Sequence, residues 1–344
     1  MLFDYLKIKN ILNDPKLVHY EDIYYLGNDK QSNALLCNKS LAIEILKNPH
    51  FEVFAYQEKL KNRSSASLGN IQAVSEHFSK SPLLMNGQNH IEARKNVLKF
   101  YNQINDDIDQ WIHQFTRVFI ESIDHDNIDI DPIITIDNYI QLVFKKIFAQ
   151  NLGCLIEDIP PLPGGILKYL IPQYETVQEF NKNLNNLDHF IKHKLVELGR
   201  SPNEAWLLIT IPIQGYETML GSLVYGLVND TNQSWDEDEL FRRSSAVSLL
   251  TRKALRDIEI QGYTFYANQF VFISPFLTNA KSNFESEKSL EFGLGKKLCP
   301  GKKMSLRIAK EFLTCFRENA HLRLRLTDYN VVFERMSMLT PKLK

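Results

Sequence analysis

Along the middle of the chain apolar residues recur every three or four positions, and toward both ends the pattern shortens to alternation. The helical period runs through 90–104, 108–123, 136–152, 176–198 and 206–228 and predicts a long helix over each. An earlier helix in "KSLAIEILKNPHF" should stop before Pro49, which cannot continue it. "HYEDIYYLG" and "NALLCNK" flank the turn "GNDKQ" as two short strands, and "DIEIQGYTF" and "QFVFIS" add further strand-like pieces. "LRLRL" and "YNVVFE" look like a closing strand pair. "SWDE" has the capping-box pattern and predicts a short helix over 234–243. Scattered Ser, Asn and Gly over 58–86 predict a long loop with short helical pieces, and "PPLPGG" at 160–165 breaks the middle of the chain. A last long helix follows "EFGLGKKLCPG". The content is mainly α with a small β region. With no repeat and no Pro/Gly/Ser linker, residues 1–344 are expected to form a single domain.

Composition narrows the function classes. A chain with 44% hydrophobic and 24% charged residues can bury a large core. A net charge of -1 argues against nucleic-acid binding through overall positive charge. The N-terminal "MLFDYLKIKNILNDPKL" is interrupted by charges and offers no apolar run of signal or membrane-spanning length. The four cysteines, Cys37, Cys154, Cys299 and Cys315, show no CxxC spacing and no disulfide-rich density. A reducing, cytoplasmic setting without a membrane anchor is the expectation.

Cys37 and Cys315 sit in apolar or helical surroundings, where a free cysteine is a small buried hydrophobe. Cys299 has different neighbours. Phe292, Gly293 and Gly295 precede it, and the glycines allow a sharp turn and a close approach. Pro300 and Gly301 follow, and then a helix whose Ala309, Phe312, Leu313 and Phe316 face inward. At a helix start the unpaired N–H groups and the dipole favour thiolate, the form needed by a nucleophile or a metal ligand. A nucleophile wants a base; no histidine lies close in sequence, and the nine scattered histidines leave a distant partner open. The alternative is iron.

"FGLGKKLCPG" resembles the cysteine-ligand loop of the cytochrome P-450 superfamily, F-x-x-G-x-x-x-C-x-G, with Phe292, Gly295, Cys299 and Gly301 in its four fixed positions. Other marks of that family follow in order. "ELFR" matches its E-x-x-R pair with Glu239 and Arg242, which share one helical face. The family completes the pair with a further arginine, but "SPFLTNAKSNFESEKSLEFG" has none. Either Lys281 or Lys288 substitutes, or the support is rebuilt. "IQGYETMLGS" is similar to the oxygen-binding helix, with Gly215, Glu217 and Thr218 in place and Gln214 where alanine or glycine is usual. A glycine there lets the helix pass a flat macrocycle, and a threonine hydroxyl can bond a carbonyl one turn back. The acid–alcohol pair could then relay protons. "NHIEAR" puts His90 and Arg94 on one face, as in the family's H-x-x-x-R that holds haem propionates. Arg252 in "LLTRKAL" matches a further propionate arginine, and Lys297 takes a place often held by histidine or arginine. "DHFIKH" pairs His189 and His193 at i,i+4, but without the HExxH glutamate or a third ligand it reads as a solvated helix face rather than a zinc site.

The resemblance implies a shortened P-450 fold, with haem b (iron protoporphyrin IX) between the 206–228 helix and the Cys299 loop. It implies a monooxygenase, most simply a hydroxylase, oxidising an organic small molecule with O2 and two electrons from a ferredoxin or flavodoxin. Lys296, Lys297, Lys302 and Lys303 cluster on the side where the family receives electrons. A peroxide-driven enzyme is one alternative, although such enzymes tend to lack the acid–alcohol pair. A non-catalytic binding or recruitment module is the other, although such modules tend to lose the cysteine or the oxygen-helix residues. The substrate is not legible, because 54–85, 160–178 and 248–250 would shape its pocket.

Overall fold

Polar Asn105, Asp106 and Asp107 do not break the helical pattern that runs through them. In the computed structural model, 90–104 and 108–123 are one helix, because the inward stripe Val97, Tyr101, Ile104, Ile108, Ile112 passes without a glycine or proline. Residues 2–14, 21–53, 80–82, 85–123, 131–163, 174–230, 234–247, 249–282, 289–319, 329–334 and 338–343 are described. The sequence expectations over most of 54–85, and those on "LRLRL" and Lys288, lie outside them.

The described helices are α1 (Leu2–Asn13), α2 (Lys39–Lys47), α3 (Gly87–Glu121), α4 (Pro132–Leu152), α5 (Tyr174–Glu197), α6 (Ala205–Asn229), α7 (Glu237–Ser244), α8 (Pro275–Lys281) and α9 (Lys302–Arg317). Local chemistry sets their ends. Asp131 caps α4, with Pro132 in its first turn and Gly153 left-handed after its last. The cap of α7 is Asp236, which accepts from the Glu239 amide, and not the Ser234 of the expected box. The Ser234 and Trp235 amides instead donate to Asp230, which also pairs with Arg317. Pro212 lies inside α6 without ending it. The helix is mostly buried, and packing outweighs the hydrogen bond that a proline removes. By length and composition alone this helix could cross a membrane, but here it runs through the core.

The largest core lies among α3, α4, α5, α6, α7 and α9, where Phe144, Phe148, Phe312 and Phe316 are fully buried. Each such side chain contributes roughly 1.5–3 kcal/mol of hydrophobic stabilisation. A five-stranded sheet forms a second layer, in the order β1 (Ile23–Tyr25), β2 (Ala34–Leu36), β7 (Phe270–Ile273), β4 (Leu250–Ala254), β3 (Phe51–Glu52). Among the described strands only β2 and β7 pair in parallel, Ala34 opposite Val271 and Leu36 opposite Ile273. The expected strand-like piece "DIEIQGYTF" is instead a hairpin of β5 (Ile258–Ile260) and β6 (Tyr263–Phe265), turning on Gln261 and Gly262 at positive φ. β8 (Tyr329–Glu334) covers the expected "YNVVFE" strand, and its described partner is β9 (Met338–Leu343). α1, α8 and β4 carry no expectation above, and β4 is the strand that presents Arg252.

Candidate functional site

The Cys299 loop is built by its own backbone. The Cys299 amide donates to the Phe292 carbonyl at 2.7 Å, across a single 3-10 turn at Gly295–Lys297. Gly293 has φ +75°, and a Cβ there would lie 2.9 Å from the Lys297 carbonyl oxygen. Gly295, at φ +60°, needs glycine for its dihedral alone. The Phe292 ring packs on Phe241 of α7 with centroids 5.0 Å apart, and the Lys302 ammonium stands 5.3 Å from the Phe292 ring centre. Gly301 lets α3 close in beside the sulfur: a Cβ there would sit 3.1 Å from Tyr101 Cε1 and 3.8 Å from Cys299 Sγ.

Burial pushes the Cys299 thiol above its usual range, against the lowering effects of the Gly301 amide, the Arg94 guanidinium and Lys302. This corrects the expectation that the helix start alone yields a thiolate: desolvation outweighs the amides, and a bound metal cation would supply the missing stabilisation. Cys37 is fully buried with its thiol pushed up to about 12, and Cys315 is buried in the core, as expected of inert cysteines.

Arg94 acts on this sulfur directly, and it also acts on His90 and Lys297, while Arg252 acts on Lys297. His90 and Arg94 come from the first turns of α3, Arg252 from β4 and Lys297 from the loop itself. Burial, then Lys297, Arg94 and Lys296, hold His90 down to about 4. Burial, then Arg252 and Arg94, bring Lys297 to about 8, while Glu52 acts less strongly the other way. Burial also lowers Arg94, and it brings Arg252 to about 10. His90 Nε2 is buried with no hydrogen-bond partner among the described residues. Buried like charges of this kind need an anion, and a group with two carboxylates beside a metal fits them. The residues present therefore suit haem: Cys299 toward the iron, and His90, Arg94 and Arg252 toward the propionates. Lys297 is more engaged than expected, since its ammonium donates to the carbonyls of Pro82, at 3.1 Å, and Met85.

On α6 the Thr218 hydroxyl donates to the Gly215 carbonyl at 2.8 Å, the bond back along the helix that the motif implied. Gly215 faces Phe144, whose Cζ would lie 3.6 Å from an added Cβ. Glu217 is half-buried. Tyr216 turns the other way, to Asp137 and Gln141 of α4. The carboxamide of Gln214 donates to the Ser81 hydroxyl at 2.7 Å, a contact with no sequence signal.

Three expectations are redrawn. Glu239 makes its ion pair with Arg243 at 2.6 Å, where the motif put Arg242. The backbone carbonyl of Arg242 instead accepts from buried Asn279, whose amide also reaches Glu291 and Ser245. Lys281 does not stand in for the missing arginine, because it is held by Asp22 and the Glu21 carbonyl. The lysine cluster divides: Lys297 turns inward, Lys303 pairs with Asp109 at 3.7 Å, and Lys296 is exposed. His189 and His193 are exposed, His193 pairs with Glu197, and no group of metal-ligating side chains occurs among the described residues.

No family model matches the chain, and no curated protein matches it in sequence. Solved structures match it in fold. The acyl-carrier-protein complex of P450BioI is 16% identical with a TM-score of 0.70, covering 96% of this chain and 98% of that one. Epothilone B-bound P450epoK is 13% identical with a TM-score of 0.69, covering 97% and 96%. The polyketide-synthase P450 PksS of Bacillus subtilis 168 is 16% identical with a TM-score of 0.67, covering 98% and 96%. The chain has the cytochrome P450 fold, mainly α with a small β region.

Proposed function

We propose that residues 1–344 form one haem domain and that it is a haem-thiolate monooxygenase, oxidising an organic small molecule with O2 and two electrons from a protein donor. The observation that carries this reading is the half-buried Cys299 sulfur under the influence of Arg94 and Lys302, with Arg94 also acting on buried His90 and on Lys297, and Arg252 on Lys297, a group that Glu52 offsets only weakly. When bound through a cysteine thiolate, haem supplies oxygen activation, the sulfur's electron push favouring O–O cleavage.

The chain's residues divide the remaining work. The Phe292 carbonyl holds the Cys299 backbone in place, while the Gly301 and Lys302 amides donate to the sulfur and share its charge. His90, Arg94 and Arg252 hold the two carboxylates from α3 and β4 together, so the cofactor ties the helical layer to the sheet. Thr218 and Glu217 keep a hydroxyl and a carboxylate on neighbouring positions of α6, suited to delivering protons to oxygen that a bound haem would activate. That pair favours O2 over a peroxide-driven reaction, and together with Cys299 it favours an enzyme over a recruitment module.

Lys296, Lys302 and Lys303 beside the loop suit an acidic ferredoxin or flavodoxin as donor. The substrate class is left at organic small molecules. Among the matched structures, one carries a fatty acyl group on its carrier protein and another epothilone B. A cytoplasmic setting accords with the reduced cysteines. The test is the absorption spectrum of the reduced, carbon monoxide-treated protein: a thiolate-shifted band supports the reading, and its absence in haem-loaded protein removes it.

A further inference from the structure

Ser81 is fully buried and packs next to Pro82, which is buried as well. A hydroxyl taken so completely from water must be bonded, and the carboxamide of Gln214 bonds it at 2.7 Å. Gln214 stands four residues before Thr218, so the two share a face of α6. From the other side, the Pro82 carbonyl accepts from Lys297, two residues before Cys299. The short segment 80–82 is thus tied at one point to the oxygen-helix face and at the next to the cysteine loop. The half-buried Gln214 amide is one of these two ties. A side chain of this length stands where the resemblance implied alanine or glycine, and a buried hydroxyl holds it in place.

We propose that Gln214, oriented by Ser81, is a specificity-determining residue, selecting organic substrates that carry a hydroxyl or carbonyl oxygen close to the carbon being oxidised. The inference rests on the haem-thiolate reading and adds to it a substrate class. The amide both fills space that a small residue would leave open and offers a fixed hydrogen-bonding group in apolar surroundings. One amide N–H is taken by Ser81, and a substrate with a matching oxygen would gain a bond from the other, which favours the oxygenated one.

The experiment uses two nearly isosteric haem ligands, 3-(hydroxymethyl)pyridine and 3-ethylpyridine, titrated into haem-loaded protein and followed by difference spectroscopy. Their shared ring nitrogen binds iron, so the ratio of the two dissociation constants reports the substituent's surroundings. In wild type the hydroxymethyl ligand is expected to be favoured about two- to tenfold over its standing in Gln214→Leu, the range of one net hydrogen bond. Ser81→Ala, which releases the amide, should narrow the preference while leaving Gln214 in place, and it serves if Gln214→Leu fails to hold haem. A ratio unchanged in both variants overturns the assignment while leaving the haem reading intact. A wild-type protein that takes up no haem overturns the haem reading, and this inference with it.

Discussion

The amide of Cys299 and the carbonyl of Phe292 are joined at 2.7 Å, so the cysteine is aimed by backbone geometry and not by its side-chain neighbours. Replacing the sulfur should therefore leave the loop standing. Cys299→Ala is expected to fold and to lose the thiolate-shifted band of the reduced carbonyl complex. Cys37→Ala and Cys315→Ala should retain it. A normal band from the Cys299 variant would contradict the ligand assignment.

Arg252 is buried at β4 with its basicity lowered by burial, the condition of a cation waiting for an anion. Arg252→Ala and Arg94→Ala should each speed haem loss to apomyoglobin by about ten- to a hundredfold, the range for a hydrogen bond to a charged group. Lys253→Ala, on the neighbouring strand position, should not. Equal transfer rates for all three would remove the propionate role.

His90 gives a pH dependence whose sign follows from its burial. Its folded value of about 4 lies below the 6.5 of the free side chain, so between these the unfolded chain binds more protons. Stability of the haem-free protein should rise with pH across that window and fall as pH drops from about 6.5 toward 4. His90→Asn should flatten this part of the profile in denaturant titrations. An identical slope in the variant would show that another group carries it.

For Thr218 the expected phenotype is wasted electrons. Thr218→Ala should keep haem and ligand binding, lose roughly 10²–10⁴-fold in product formation if proton delivery limits the rate, and release hydrogen peroxide instead. Product and peroxide per electron, measured side by side, check this. Unchanged coupling in an active variant would remove the role given to Thr218.

Electron delivery should depend on salt. Charge reversal at Lys302 and Lys303 is expected to slow reduction by an acidic ferredoxin without changing haem content, and added salt should weaken association in the wild type. The exposed Lys303–Asp109 pair, at 3.7 Å, is too weak to hold Lys303 out of such an encounter. Salt-independent reduction would argue for a different docking face.

Much of the scaffold was legible because periodicity is a local signal. α2, α4, α5 and α6 fall within a few residues of the positions their apolar spacing implied, whereas the turn at Gln261–Gly262, which divides "DIEIQGYTF" into β5 and β6, was passed over. The split placed within α3 was an error of local reading: three polar residues look like a linker when the stripe on the opposite face is not followed through. Asp236 outcompeted Ser234 as a cap because Asp230 had already engaged the Ser234 amide, a contact decided by tertiary structure. The site divides in the same way. Cys299, His90 and Arg94 could be found from short spacings, whereas the Lys297 contacts with Pro82 and Met85 and the bond from Gln214 to Ser81 join distant stretches and left no trace in composition.

The parallel pairing of β2 with β7 has a consequence for how the chain reaches this state. Ala34–Leu36 can form its antiparallel ladder with β1 early, but its other edge finds Val271–Ile273 only after nearly the whole helical layer has been synthesised. Until then a fully apolar strand has one open side, the kind of exposed edge that invites wrong partners. Such distant closure is slow to search for. The sheet edge and the Arg252 strand beside β7 are therefore expected to mature together, late. Ribosome-bound chains stopped before Phe270 should leave Ala34–Leu36 open to hydrogen exchange, and chains extended past Ile273 should protect it.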